Sequence, residues 1–221
     1  NIMKAREGDL IETLDGNIFD VKGLIHPPEK IIAFIRFLAD PKGDRKRGKI
    51  TYRKVYPLPE RYALLRERFP QYLVYDQVFG EWLCEVPTDN VKRHYKPVDH
   101  LRKLRQKRQL DQLETKALQF AQWLKKNAKI PWNKLGVSGS LLVGLHTPMS
   151  DIDLVVYGAA NFLRLRVTVN KLVDEGALSY ALTDDQVRAR KPCGGFKGES
   201  FICNAVRKIE EISARYGDFR Y

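Results

Sequence analysis

Two acids separated by one apolar residue, Asp151-Ile152-Asp153, open the apolar run Leu154-Val155-Val156-Tyr157. On an extended chain, residues two apart project to the same face, so the two carboxylates point together while Ile152 and Leu154 turn to the core. Like charges side by side at a sheet edge repel, and a hard divalent cation with oxygen ligands relieves that repulsion. Mg²⁺ fits this donor set best. Upstream, from Leu135, the chain reads as a short strand ending in Gly139-Ser140. A glycine there lets the backbone approach a ligand closely, and a Ser140 hydroxyl and N–H at a helix start suit a phosphate. A strand, a turn and a second strand headed by two acids leave few folds open.

Gly139-Ser140, ten intervening residues, then Asp151-Ile152-Asp153-Leu154 resembles the signature of the DNA polymerase β-like nucleotidyltransferase superfamily. Within that superfamily the chain is similar to a group of uncharacterised archaeal predicted nucleotidyltransferases. Gly144 and Ser150 also fall where small single-domain relatives carry a glycine and a serine. The resemblance implies an α+β fold whose second part is a mixed-sheet, polymerase β palm-like nucleotidyltransferase domain. It implies that Asp151 and Asp153 are catalytic and hold two Mg²⁺ ions. One ion would escort a nucleoside triphosphate bound near Gly139 and Ser140, and the other would lower the pKa of an attacking hydroxyl, with pyrophosphate leaving. The expected reaction is transfer of a nucleoside monophosphate to a hydroxyl of RNA or protein. The alternative is a catalytically silent protein on the same scaffold that binds structured RNA or ribosomal particles. Nucleotidyltransferases of the toxin-antitoxin type are usually shorter and lack an N-terminal module.

Two departures from the family pattern matter. Active members supply a third carboxylate from a later strand. The next apolar run, Phe201 to Val206, contains none: Asn204 stands at the expected position, Glu199 is the nearby acid, and the remaining possibility is an acid beyond Tyr221. A neutral amide weakens binding of a hard cation. Second, Leu141 and Val143 are apolar where many relatives place arginines that touch the triphosphate. Lys134, Arg164 or Lys191 are the basic groups that would substitute. His146 is read as a surface residue before a phosphate contact or a base, and Ser138 as structural.

Before this segment the chain reads as a β-rich module over 1–95. Leu10 to Thr13 and Ile18 to Val21 flank an Asp15-Gly16 turn, the pattern of a hairpin. Ile31 to Leu38 is a buried strand, 42–54 a basic loop leading into a strand from Ile50 to Val55, and Glu60 to Arg68 a short helix. Aromatic strands follow at Tyr72 to Tyr75 and Glu81 to Val86. A basic connecting helix occupies 96–109, and the nucleotidyltransferase-like part occupies 110–221. Apolar residues at 110, 113, 117, 120, 121 and 124 predict an amphipathic helix ending near Asn127. A helix is expected at Ala160 to Glu175, capped by Gly176, then a stretch at Leu178 to Leu182 and a helix start at Thr183 to Asp185. Gly194 to Gly198 is read as a connecting loop, since no Lys-Ser or Lys-Thr follows to make a phosphate cradle.

Charge identifies the class of partner. The 221 residues carry 39 Lys and Arg against 27 Asp and Glu, a formal net charge of +12. Three segments hold the excess: 42–54 with seven basic residues, 92–108 with eight, and 186–221 with eight. Structured RNA (tRNA, rRNA or a ribosomal particle) is the expected partner, gripped through its phosphates by Arg45, Lys46, Arg47, Arg102, Lys103, Arg105, Lys107 and Arg108. Tyr52, Tyr56 and Tyr95 lie beside basic residues and either stack on unpaired bases or pack in the core. Cys84, Cys193 and Cys203 lack the spacing of a disulfide scaffold or a zinc site. No run reaches the roughly 18 to 20 apolar residues of a membrane span, so a cytoplasmic protein is expected.

Overall fold

The computed structural model describes residues 4–174. The elements expected at 178–182, 183–185, 194–198 and 201–206, and the basic segment 186–221, lie outside these residues. The chain divides into two units. One comprises the residues up to Lys96 together with Leu142–Thr147; the other comprises Pro97–Leu141 and the chain from Pro148.

The first unit is a sheet of antiparallel strands. Strands β1 (Leu10–Thr13) and β2 (Ile18–Val21) form the expected hairpin, with Gly16 at φ +84°. Asn17 ties the turn to its surroundings: its side-chain Nδ2 donates to Asp15 (2.9 Å) and its side-chain Oδ1 accepts from the Ala39 N–H (2.9 Å). Strand β3 (Lys30–Ala39) lies at the centre of the sheet and is buried for most of its length. Strand β2 pairs along one edge of it.

The strand expected from Ile50 is β5 (Ile50–Lys54), but the basic stretch before it, expected as a loop, contains a strand of its own, β4 (Arg45–Arg47), and the two form a second hairpin turning at Gly48 with φ +60°. Tyr52 shows why, since its fully buried ring anchors β5 to the core. Helix α1 (Leu58–Arg68) follows Pro57, whose extended backbone ends the preceding segment. Strands β6 (Leu73–Asp76) and β7 (Glu81–Pro87) come next, then β8 (Val91–Tyr95), which pairs with β1. Strand order is β4-β5-β3-β2-β1-β8, with β7 also on β3 and β6 on β7. Cys84 on β7 is fully buried, which pushes its thiol pKa well up.

The second unit is built on helices. The expected connecting helix is α2 (Pro97–Gln106), and it groups with this unit. Leu101 and Leu104 bury one of its sides in the same core as Leu113, Ala117, Phe120, Ala121 and Leu124 of α3 (Gln112–Asn127). Asp111 caps α3 by accepting from the Leu113 and Glu114 N–H groups, while Glu114 reaches back to the Asp111 N–H. Such a capping box satisfies N–H groups that would otherwise be orphaned, and removing the cap side chain costs about 1 kcal/mol. Strands β9 (Leu135–Val137) and β10 (Leu154–Val156) pair antiparallel; where a mixed sheet was expected, the described residues hold this two-stranded antiparallel ladder. Gly136 on β9 lies so close to α2 that a Cβ would come within 2.7 Å of the Pro97 carbonyl carbon and 2.8 Å of the Val98 nitrogen. Helix α4 (Gly139–Leu142) is a single turn, and α5 (Ala159–Asp174) closes the described chain. Among the described residues no helix is long and apolar enough to cross a membrane.

Candidate active site

The β9–β10 ladder extends one bond beyond each strand. The Ser138 N–H donates to the Asp153 carbonyl (2.7 Å), and the Tyr157 N–H donates to the Lys134 carbonyl (2.8 Å). The backbone of Ser138 thus fixes Asp153 although β10 begins only at Leu154. Gly139 follows immediately in the left-handed region, at φ +62°. A Cβ on Gly139 would collide with the Asp153 carboxylate, lying 2.7 Å from its Cγ. Gly139 thus meets Asp153 directly, and only a glycine leaves room for that carboxylate.

Asp151 and Asp153 lie in irregular chain just ahead of β10 rather than on the strand. Ile152 is partly buried and packs on the core of the second unit; Asp151 is exposed and Asp153 half-buried. Ser140 is buried at 6% exposure, and Leu141 beside it at 1%. Beyond β10, Gly158 at φ +96° turns the chain into α5. Asn161 secures that turn by donating to the Tyr157 carbonyl (2.7 Å), and it accepts from Arg164 (2.6 Å). Among the described residues no third His, Cys, Asp or Glu joins the two aspartates. Glu199 and Asn204, considered for the missing ligand, lie outside the described residues, as does Lys191.

The spacer between Ser140 and Asp151 takes an unexpected course. It leaves the second unit at Leu142 and returns at Pro148. In between, Leu142, Val143 and Leu145 are buried with Leu10, Ile18, Phe37 and Tyr52 of the first unit. The apolar residues at Leu141 and Val143 are explained by burial, since an arginine at either would have to bury its charge.

Two of the arginines expected to grip nucleic acid hold this spacer. Arg45 donates to the Leu145 carbonyl (2.9 Å), and Arg47 to that of Val143 (3.3 Å). Arg47 also donates to Glu12 (2.8 Å) and to the hydroxyls of Tyr52 and Tyr95 (2.9 Å each), while Tyr95 donates to Glu12. Burial opposes the charge on Arg47, but Tyr95, Glu12 and Tyr52 outweigh it and hold its pKa above the usual guanidinium value. The period-two pattern Arg45-Lys46-Arg47 was the available signal: the outer two are half-buried, and Lys46 between them is exposed.

Breaking this network is expected to be costly. Arg47→Leu would leave Glu12, its side chain 7% exposed, with Lys92 at 3.9 Å and the Tyr95 hydroxyl. Loss of about 3 kcal/mol is expected in chemical denaturation, against less than about 0.5 kcal/mol for the exposed neighbour in Lys46→Leu. Equal losses would show that the network contributes nothing.

The basic residues of α2 and its flank are differently disposed. Lys103 and Arg108 are exposed; Arg102 pairs with Asp99 at 2.9 Å, and Lys107 with Glu114 at 2.6 Å. Arg105 lies 4.1 Å above the centre of the Trp132 ring, which Lys125 also approaches at 5.7 Å. Of the three tyrosines, Tyr52 is core, Tyr95 half-buried and Tyr56 exposed.

A family model described as a nucleotidyltransferase domain matches residues 116–211, which include the Gly139-Ser140 turn and both aspartates. The chain is also 30% identical to an uncharacterised protein of Methanocaldococcus jannaschii over an alignment of 250 positions, covering 99% of this chain and 73% of that relative. The chain belongs to the DNA polymerase β-like nucleotidyltransferase family. No solved structure matches it. In this nucleotidyltransferase the family signature lies in the second unit, on the β9 end and the β10 entry, and the similarity to the archaeal relative extends through the first unit as well.

Proposed function

We propose that this nucleotidyltransferase transfers a nucleoside monophosphate from a nucleoside triphosphate to a hydroxyl of RNA or of a protein, with Asp151 and Asp153 as the catalytic acids. The observation that carries the reading is the meeting of Gly139 with Asp153, which joins the two halves of the family signature at one point. The donor set suits Mg²⁺, a hard cation commonly held by one or two carboxylates together with substrate phosphates. When bound, Mg²⁺ neutralises phosphate charge and makes the attacking hydroxyl more acidic. Asp151 and Asp153 would hold it, and the backbone at Gly139 and Ser140 would bind the triphosphate. The acceptor oxygen forms a bond to the α-phosphorus, the bond from that phosphorus to the bridging oxygen breaks, pyrophosphate leaves, and the hydroxyl proton passes to solvent. Lys46 and the exposed side of α2, with Lys103, Arg105 and Arg108, supply positive charge for structured RNA. Arg102 and Lys107 would add to it by exchanging their present carboxylate partners for phosphates.

The test is incubation of the full chain with each α-labelled triphosphate, Mg²⁺ and cellular RNA or protein. Label is expected on an acceptor together with equimolar pyrophosphate, and both are expected to vanish with EDTA. Absence of label with all four nucleotides would refute the reading. A second reading is favoured by one observation, that no group of three or more His, Cys, Asp or Glu suited to a metal occurs among the described residues: a catalytically silent protein that holds structured RNA or a ribosomal particle. Under that reading RNA is retained, in a manner that weakens with salt, while no label moves.

A further inference from the structure

Among the described residues the exposed aromatic side chains all belong to the first unit: Tyr56 at 61%, Trp82 at 54% and Tyr75 at 52%. Their surroundings differ from those of a stray surface ring. The Arg36 guanidinium lies 4.9 Å from the centre of the Tyr56 ring, and the Lys54 ammonium 5.5 Å from it. Tyr75 and Trp82, directly opposite on β6 and β7, meet edge to face at 5.7 Å.

Helix α1 links the two places. Its Tyr62 donates to the Trp82 carbonyl (2.8 Å), lies under Arg66 at 5.9 Å, and packs edge-on to Phe34 of β3 at 5.4 Å. Arg36 lies at a register shift in the β2–β3 pairing, and its charge acts on Asp20, the residue paired with Phe34. Rings with cations over them therefore occur at Tyr56, just past β5, and at Tyr62 on α1, and the Tyr75–Trp82 pair is joined to α1 through the Tyr62 hydrogen bond. Positive charge accumulates at Asp20 as well: Lys22 at 2.8 Å and Arg61 at 3.9 Å share its single carboxylate. Rings alone would suit an apolar protein partner. Rings bracketed by guanidinium and ammonium groups suit a polyanion whose units each carry a flat face and a phosphate.

We propose that this region of the first unit binds a single-stranded stretch of nucleic acid, with bases stacking on Tyr56 and Trp82 and phosphates meeting Arg36, Lys54 and Arg66. The proposal is independent of nucleotidyl transfer, and it assigns to the first unit a task separate from that of the basic side of α2.

Fluorescence anisotropy of the full chain with a labelled twelve-nucleotide oligouridine tests it, in EDTA and without nucleotide, so that neither Asp151 nor Asp153 enters the readout. A base-paired RNA of the same length serves as comparison. Tyr56→Leu and Trp82→Leu are each expected to weaken single-strand binding about ten-fold, with Tyr56→Phe binding like the parent and the duplex indifferent to all three. Both positions are exposed, so melting curves should coincide with the parent's and confirm intact variants. The proposal is overturned if oligouridine does not bind, if both leucine variants bind it like the parent, or if the duplex loses affinity to the same extent. Capture of a protein through this region with oligouridine left unbound would equally overturn it.

Discussion

Asp151→Asn and Asp153→Asn are each expected to lower nucleotidyl transfer about a thousand-fold, with little change in melting temperature. The size follows from charge: a hard cation and a developing negative charge both depend on carboxylate oxygens, and several kcal/mol of such stabilisation corresponds to about three decades in rate. The small effect on stability follows from where the side chains lie. Asp151 is exposed, and Asp153 is held through its backbone carbonyl, which asparagine retains. Rates with labelled triphosphate and thermal melts of the same preparations would be compared. Transfer at parental rates by both variants would remove the two acids from the chemistry.

The second large effect is steric. Gly139→Ala is expected to reduce transfer about a hundred-fold, because the new Cβ would fall onto the Asp153 carboxylate and drive it from its place, and a displacement of about an ångström is enough for such a loss. Gly144 is the control. It shares the left-handed backbone, at φ +67°, yet a Cβ there meets nothing within 4 Å. Both alanine variants bear the same backbone strain, about 1 kcal/mol, so both should melt slightly lower while only the first loses activity. If Gly144→Ala impaired transfer as much as Gly139→Ala, backbone strain rather than contact with Asp153 would be the cause.

Where local chemistry decides structure, the sequence was a good guide. The Asp15-Gly16 turn marked the first hairpin, and the three-and-four spacing of apolar residues marked α3 and its buried side. The Gly-Ser and Asp-Ile-Asp pair was legible because it is contiguous and sits between apolar runs. Strands β4 and β8 were not, since Arg45-Lys46-Arg47 and Lys92-Arg93-His94 look like solvated charge until their neighbours are known. Arg47 is half-buried through Glu12 and Tyr95, partners brought to it by the order of strands in the sheet. The burial of Leu142, Val143 and Leu145 against the first unit depends in the same way on Leu10, Ile18, Phe37 and Tyr52, all far earlier in the chain. The apolar residues there looked like a loss of phosphate contacts, whereas the structure gives them a packing role.

Crystals of the full chain grown with Mn²⁺ and a non-hydrolysable triphosphate, measured at the manganese edge, would decide whether Asp151 and Asp153 hold the metal that accompanies the triphosphate. An anomalous peak bonded to both carboxylates is expected, with the triphosphate against Gly139 and Ser140, and the same map would identify the third protein ligand. A triphosphate bound with no manganese at the two aspartates, or manganese held at other residues, would contradict that role for the two aspartates.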